Sequence, residues 1–182
     1  TPGQTTDGTV PRLGRVPELI ADARGWAHAL WLRERQDGPG SELWHNRLMI
    51  GSPGWTQPKR LAGSAIAYAV DADPDGGIHL AYLRVQHTAQ EPAGVYYRYS
   101  DNGGAAWSDP VGVRTSVYMR MMTDATAYLQ LSARSAGRVL IILDEPRREE
   151  TWAIVGSGTA WGDAAVVDTG AWLPRSVQGA WL

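Results

Sequence analysis

The sequence predicts an all-β protein, a β-propeller of four-stranded antiparallel blades with about three and a half blades present, which is a partial wheel. Three observations predict this fold. The sequence repeats with a period of about 52 residues, each repeat contains short runs of β-favouring residues, and Gly, Pro and Asp separate these runs. The chain has 182 residues, 43% hydrophobic and 20% charged, which is typical of an ordered globular protein.

The period is clearest at a tryptophan near the end of each unit. Trp55-Thr56-Gln57-Pro58 returns 52 residues later as Trp107-Ser108-Asp109-Pro110, and a weaker copy begins at Trp161. An inner strand at 27–32 is repeated at 78–83, and an aromatic strand at 43–47 is repeated at 95–99. We therefore divide the chain into a lead-in, 1–15, and a partial propeller, 16–182, with units at about 16–64, 65–116 and 117–168 and the start of a fourth at 169–182.

The third unit aligns with the others only with gaps. Residues 138–143 are predicted to be its inner strand and residues 151–155 the next strand. Two structures are compatible with residues 118–133, a helix and a crossover followed by a strand. Their methionines and leucines favour a helix, whereas Thr123, Thr126 and Tyr128 weaken it. We interpret this stretch as a crossover between blades followed by an outer strand.

Composition excludes several classes of function. The chain has no Cys, so it has neither disulfides nor a cysteine-based metal site. Its formal net charge is -2 and it contains no basic run, so nucleic acid is not an expected partner. The longest apolar stretch, 139–143, is far shorter than the roughly 20 residues of a membrane-spanning helix, and no membrane span is expected.

Residues 100–107 resemble the Asp box, the Ser/Thr-x-Asp-x-Gly-x-Thr-Trp hairpin of sialidases and bacterial neuraminidase repeat propellers. Ser100, Gly104 and Trp107 match the motif, whereas Asn102 replaces its Asp and Ala106 its Thr. Eroded copies are found at 51–55 and 157–161. In that family the box is structural and lies away from the central pocket. The resemblance therefore implies a propeller fold and a structural role for these residues, without implying catalysis.

A second resemblance concerns the start of the repeat. Gly14-Arg15-Val16-Pro17 is similar to the Phe/Tyr-Arg-Ile-Pro signature of sialidases, without its aromatic residue. The resemblance implies that Arg15 binds a substrate carboxylate, and it puts Asp37 in the loop where the family carries its acid/base. The alternative for Arg15 is an ordinary lead-in to the first strand. Arg15 and Asp37 are thus the candidate catalytic residues.

One acidic run is a candidate metal site. Asp71, Asp73 and Asp75 alternate in an Asp-x-Asp-x-Asp-Gly pattern that can present carboxylates to Ca²⁺. The alternative is a hairpin turn equivalent to residues 21–25 of the first unit. No cofactor other than this calcium is expected. His28 and His79 occupy equivalent repeat positions, which favours packing or hydrogen bonding over catalysis.

The first functional hypothesis is a non-catalytic Asp-box propeller module that binds a glycan or protein partner or serves as a scaffold in a surface assembly. The alternative is a sialidase-type exo-glycoside hydrolase whose active site is completed by blades outside this chain. Because an incomplete wheel leaves sheet surfaces uncovered, the remaining blades or another subunit are expected partners. The expected location is extracellular, at the cell surface, or periplasmic.

Overall fold

A computed structural model describes residues 17–35 and 40–169 of the chain. These residues form three antiparallel sheets, each made from strands that pair in chain order. The all-β class and the antiparallel four-stranded sheets are therefore confirmed. The first sheet contains β1 (Glu18–Ala21), β2 (Trp26–Glu34), β3 (Ser41–Met49) and β4 (Lys59–Ala65).

The second sheet has the same strand order and is the centre of the molecule. Its strands are β5 (Ala67–Ala72), β6 (Ile78–Arg84), β7 (Gly94–Ser100) and β8 (Val111–Thr115). Strand β6 is buried at every position. Side chains alternate between the two faces of a strand, and both faces of β6 are covered. Leu80 and Tyr82 pack with the first sheet, and Ala81 and Leu83 pack with the third.

The third sheet contains β9 (Leu129–Arg134), β10 (Arg138–Glu145) and β11 (Glu150–Ser157) in the same order. Its fourth position is shared by two short strands, β12 (Ala160–Trp161) and β13 (Ala165–Thr169), which both pair with β11. A short 3-10 helix, Val117–Met121, lies between β8 and β9. In the described part of the chain no helix is long and apolar enough to span a membrane.

The prediction of an outer strand within residues 118–133 is wrong in its position. Strand β9 pairs with β10 and contacts β5, the first strand of the neighbouring sheet. Strand β5 in turn contacts β1, so the first strands of all three sheets lie side by side. A tight turn at Ser135–Gly137 joins β9 directly to β10 and fixes this order. Of the methionines that favoured a helix, Met119 and Met121 lie in the 3-10 helix, and Met119 and Met122 are buried in the core between the second and third sheets.

Candidate functional site

A cleft of about 370 Å³ runs along the first strands where the three sheets meet. Its described lining comes from one residue of β1, three of β5 and four of β9, namely Glu18, Tyr68, Ala69, Val70, Leu129, Gln130, Leu131 and Ser132. The volume is in the range of small-molecule sites. The lining combines aliphatic surface with a carboxylate, a phenol, an amide and a hydroxyl group.

Tyr68 ties the cleft to the first sheet. Its hydroxyl group donates a hydrogen bond of 2.8 Å to the carbonyl oxygen of Leu30 and accepts one of 3.4 Å from the backbone N–H of Glu18. Burial raises the pKa of the Tyr68 hydroxyl to about 12. The phenol is therefore neutral at physiological pH and already has an acceptor, which makes it a fixed wall of the cleft.

Glu18 carries the negative charge of the cleft. Burial raises the pKa of its carboxyl group, and the nearby charge of Asp71 raises it further. Asp71 is held in place by two backbone N–H groups. Its Oδ2 accepts from Ala133 at 2.8 Å, and its Oδ1 accepts from Ala72 at 2.9 Å. The carboxylate of Asp71 thus links β5 to β9 beside the cleft.

The other residues of the acidic run also serve hairpins. Asp73 Oδ1 accepts from the backbone N–H groups of Asp75 and Gly77, and Asp75 Oδ2 accepts from the N–H of Ala136. In residues 17–35 and 40–169 no three His, Asp or Glu side chains are gathered so as to hold a metal ion. Calcium binding by Asp71, Asp73 and Asp75 stays a prediction.

Arg15 and Asp37, the candidate catalytic residues, lie outside the described residues. The lead-in at 1–15 lies outside them as well, and of the predicted fourth unit at 169–182 only Thr169 is described, as the last residue of β13. The roles predicted for Arg15 and Asp37 therefore stay predictions.

The hairpin at residues 100–107 is built by its own short polar side chains. Ser100 Oγ donates to Asn102 Oδ1 at 3.0 Å and accepts from the N–H of Gly104 at 2.9 Å. Asn102 Oδ1 also accepts from the N–H of Ala106 at 2.9 Å. Gly104 has a φ of +73° and packs so tightly that an added Cβ would lie 2.6 Å from the His45 ring. The hairpin of the second sheet is therefore seated on the first sheet.

A buried chain of polar side chains lies beneath this hairpin. Asp22 accepts from His28 Nε2 at 3.3 Å, and His28 Nδ1 lies 3.1 Å from His45 Nε2. Because a neutral His28 that donates to Asp22 through Nε2 must accept at Nδ1, His45 is the donor between the two rings. The Trp107 ring then meets the edge of the His45 ring at 5.2 Å.

An equivalent series of hydrogen-bonded side chains joins the second sheet to the third. His79 Nε2 donates to Asp73 at 3.0 Å, its Nδ1 accepts from the hydroxyl group of Tyr97 at 2.6 Å, and the Trp161 ring lies against Tyr97. Tyr97 thus replaces His45, and in both cases the last member is a tryptophan of the following sheet. The repeated histidines have the hydrogen-bonding role that their repetition favoured.

No protein-family model matches the chain, and neither does any curated protein sequence. Solved structures do match. A Hadza microbial sialidase, Hz136, aligns over 81% of this chain and 36% of its own, at 16% identity and a TM-score of 0.52. A protein of unknown function from Dyadobacter fermentans aligns over 81% of this chain and 53% of its own, at 18% identity and a TM-score of 0.54.

The chain shares the fold of these two proteins. It spans about a third of the length of the sialidase and about half of the Dyadobacter protein. A fucose lectin from Kordia zhangzhouensis, solved with methyl-fucoside, aligns over 85% of this chain and all of its own, at 14% identity and a TM-score of 0.46.

Sequence reasoning missed the cleft because its residues are far apart in the chain. Glu18, Tyr68 and Gln130 are brought together only by the side-by-side packing of β1, β5 and β9. The repeat located the second and third strands of the first two units but not β5, and residues 118–133 gave no strand with a defined neighbour. If β9 had been placed beside β5, the cleft along these strands could have been predicted.

Proposed function

We propose that this chain is a non-catalytic glycan-binding module, part of an Asp-box propeller located outside the cytoplasm. The observation that carries the proposal is the cleft along the first strands. Sugars present both apolar C–H surfaces and hydroxyl groups, and the lining of the cleft combines aliphatic side chains with the Glu18 carboxylate and the Gln130 amide. Small polar ligands are typically held by such a mixture of apolar walls and a few polar groups.

The ionisable groups of the cleft favour binding over catalysis. Glycoside hydrolysis generally requires two carboxyl groups on either side of the scissile bond. Glu18 is the one carboxylate among the described lining residues, and the carboxylate of Asp71 beside it is bound to backbone N–H groups. The Tyr68 phenol, with a pKa raised to about 12, is a poor nucleophile at neutral pH.

A binding measurement tests this proposal. Neutral methyl pyranosides are titrated into the full chain, and binding is followed by ligand-observed NMR. We expect Gln130→Leu, which replaces a cleft amide by an apolar group of similar size, to weaken binding about tenfold, the effect of losing one or two good hydrogen bonds. Gln57→Leu makes the same change on an exposed residue that does not line the cleft, and this variant should bind as the parent does. Equal binding by all three proteins would refute the cleft as the site.

The proposed wheel is supported by three equivalent tryptophans. The residue after each one donates its N–H to the third strand of the same sheet, as Thr56 does to Arg47, Ser108 to Tyr99 and Gly162 to Val155. Trp107 and Trp161 each pack on the preceding sheet, whereas Trp55 is 46% exposed. A further sheet, from this protein or another subunit, would cover Trp55 in the proposed propeller.

A sialidase-type hydrolase is the second candidate. It is favoured by the shared fold with Hz136 and by the Arg15 segment, and its active site would be completed by blades outside this chain. A fluorogenic sialoside assay on the full-length protein separates the candidates. Turnover that is abolished by Arg15→Ala would refute the non-catalytic proposal.

A further inference from the structure

The described residues of the cleft carry negative charge. Glu18 is the only charged side chain among the described lining residues, and Asp71 adds a second negative charge within electrostatic range. Carboxylated sugars are usually held by arginine, whose guanidinium group matches the carboxylate geometry. In the described part of the chain no Arg or Lys lines the cleft.

The polar groups of the cleft suit hydroxyl groups instead. A carboxylate such as Glu18 accepts hydrogen bonds from sugar hydroxyl groups, and the Gln130 amide both donates and accepts. Val70 and Leu129 line the cleft but are buried, and their side chains belong to the two hydrophobic cores. An uncharged sugar ring can therefore be bound through these polar groups without bringing a second negative charge near Glu18.

We propose that the cleft selects uncharged pyranosides and discriminates against sugars that carry a carboxylate. This inference rests on the proposed glycan binding and adds the class of ligand. A sugar carboxylate about 5 Å from the Glu18 carboxylate would lose affinity by roughly fourfold even in water-like surroundings. Glu18 keeps contact with solvent although partial burial raises the pKa of its carboxyl group, so the water-like value is a lower limit.

Matched pairs of sugars test the selectivity. Methyl glucoside and methyl galactoside are each compared with the corresponding uronide, in which a carboxylate replaces the hydroxymethyl group. We expect the neutral member of the pair to bind at least fourfold more tightly to the parent chain at low salt. Glu18→Gln should reduce the ratio of the affinity for the neutral sugar to the affinity for its uronide. Asp101→Asn, which removes an exposed carboxylate from the hairpin at 100–107, should leave this ratio unchanged.

The outcomes separate the two proposals. Failure of every neutral and acidic sugar to bind would refute glycan binding itself. Binding that Gln130→Leu weakens, but with the uronide as tight as its neutral partner, would overturn the selectivity alone. Preferential binding of the uronide that is lost in Arg15→Ala would also overturn it, since Arg15 would then supply the positive charge. An affinity ratio that Glu18→Gln does not change would overturn the assignment of the discrimination to the Glu18 carboxylate.

Discussion

Acid should weaken the packing of the first sheet against the second through the buried imidazole pair. His28 and His45 are 0% and 2% exposed, and their rings stack with centroids 5.3 Å apart. Burial, followed by the positive charges of His28, Arg47 and Lys59, lowers the pKa of His45 to about 3. Burial also lowers the pKa of His28, although its hydrogen bond to Asp22 acts in the opposite direction.

Whether acid raises or lowers the free energy of unfolding depends on whether the folded or the unfolded state binds more protons. In the unfolded chain His45 has the ordinary pKa of about 6.5, so below that pH the unfolded state gains a proton that the folded state lacks. The free energy of unfolding therefore falls as pH decreases from about 6.5 towards 3, by about 1.4 kcal/mol per pH unit for one group. Between pH 7 and pH 5, His45 alone should account for a loss of about 2 kcal/mol.

Urea unfolding followed by tryptophan fluorescence at pH 7, 6 and 5 measures this loss. His45→Gln should lower stability at pH 7 and remove most of the dependence on pH. Ile141→Val, a substitution of a buried aliphatic residue between the second and third sheets, should cost about 1 kcal/mol at every pH. A parent chain that is equally stable at pH 7 and pH 5, or a His45→Gln variant that keeps the full dependence, would refute the reasoning.

Two further predictions concern contacts between sheets and are tested by the same urea unfolding at pH 7. Gly104→Ala should destabilise the chain by about 2 kcal/mol or more, because the new Cβ is strained at positive φ and meets the His45 ring. Gly158→Ala, where φ is +55° and the space is open, should cost about 1 kcal/mol, and equal losses would contradict the contact. Arg114→Met should cost about 3 kcal/mol, because it leaves the buried Glu145 carboxylate without the guanidinium that binds it at 2.6 Å. Adding Glu145→Gln should restore part of that loss, and a double variant less stable than Arg114→Met would contradict the ion pair.

The sequence predicted those features of the fold that depend on local pattern. Strands β2 and β6, and likewise β3 and β7, could be located because alternating apolar and aromatic residues recur at one spacing between turn-formers. The order of strands around residues 118–133 could not be predicted, since hydrogen-bonded neighbours depend on packing between sheets. The oxygens of Asp73 accept from the turn backbone and from His79, partners that its place in an alternating acidic run did not indicate, and its role as a metal ligand stays a prediction.

The site was less accessible to sequence reasoning than the fold. The equivalence of His28 and His79 indicated hydrogen bonding, but the partners His45 and Tyr97 differ in residue type, so the repeat alone did not connect them. The cleft depends on three first strands from three sheets, and no motif marks Glu18, Tyr68 or Gln130.

The two junctions between sheets differ chemically, because His45 in the first junction is replaced by Tyr97 in the second. The junction of the first two sheets contains two titratable rings, whereas the junction of the second and third pairs one histidine with a phenol whose pKa is raised by burial. In a repeat array each unit is stabilised mainly by its nearest neighbours, so the junctions can weaken separately. Mild acid would then weaken the junction of the first two sheets through His45, whose pKa is lowered by burial. Repeats that share one architecture can therefore differ in the order in which their junctions unfold.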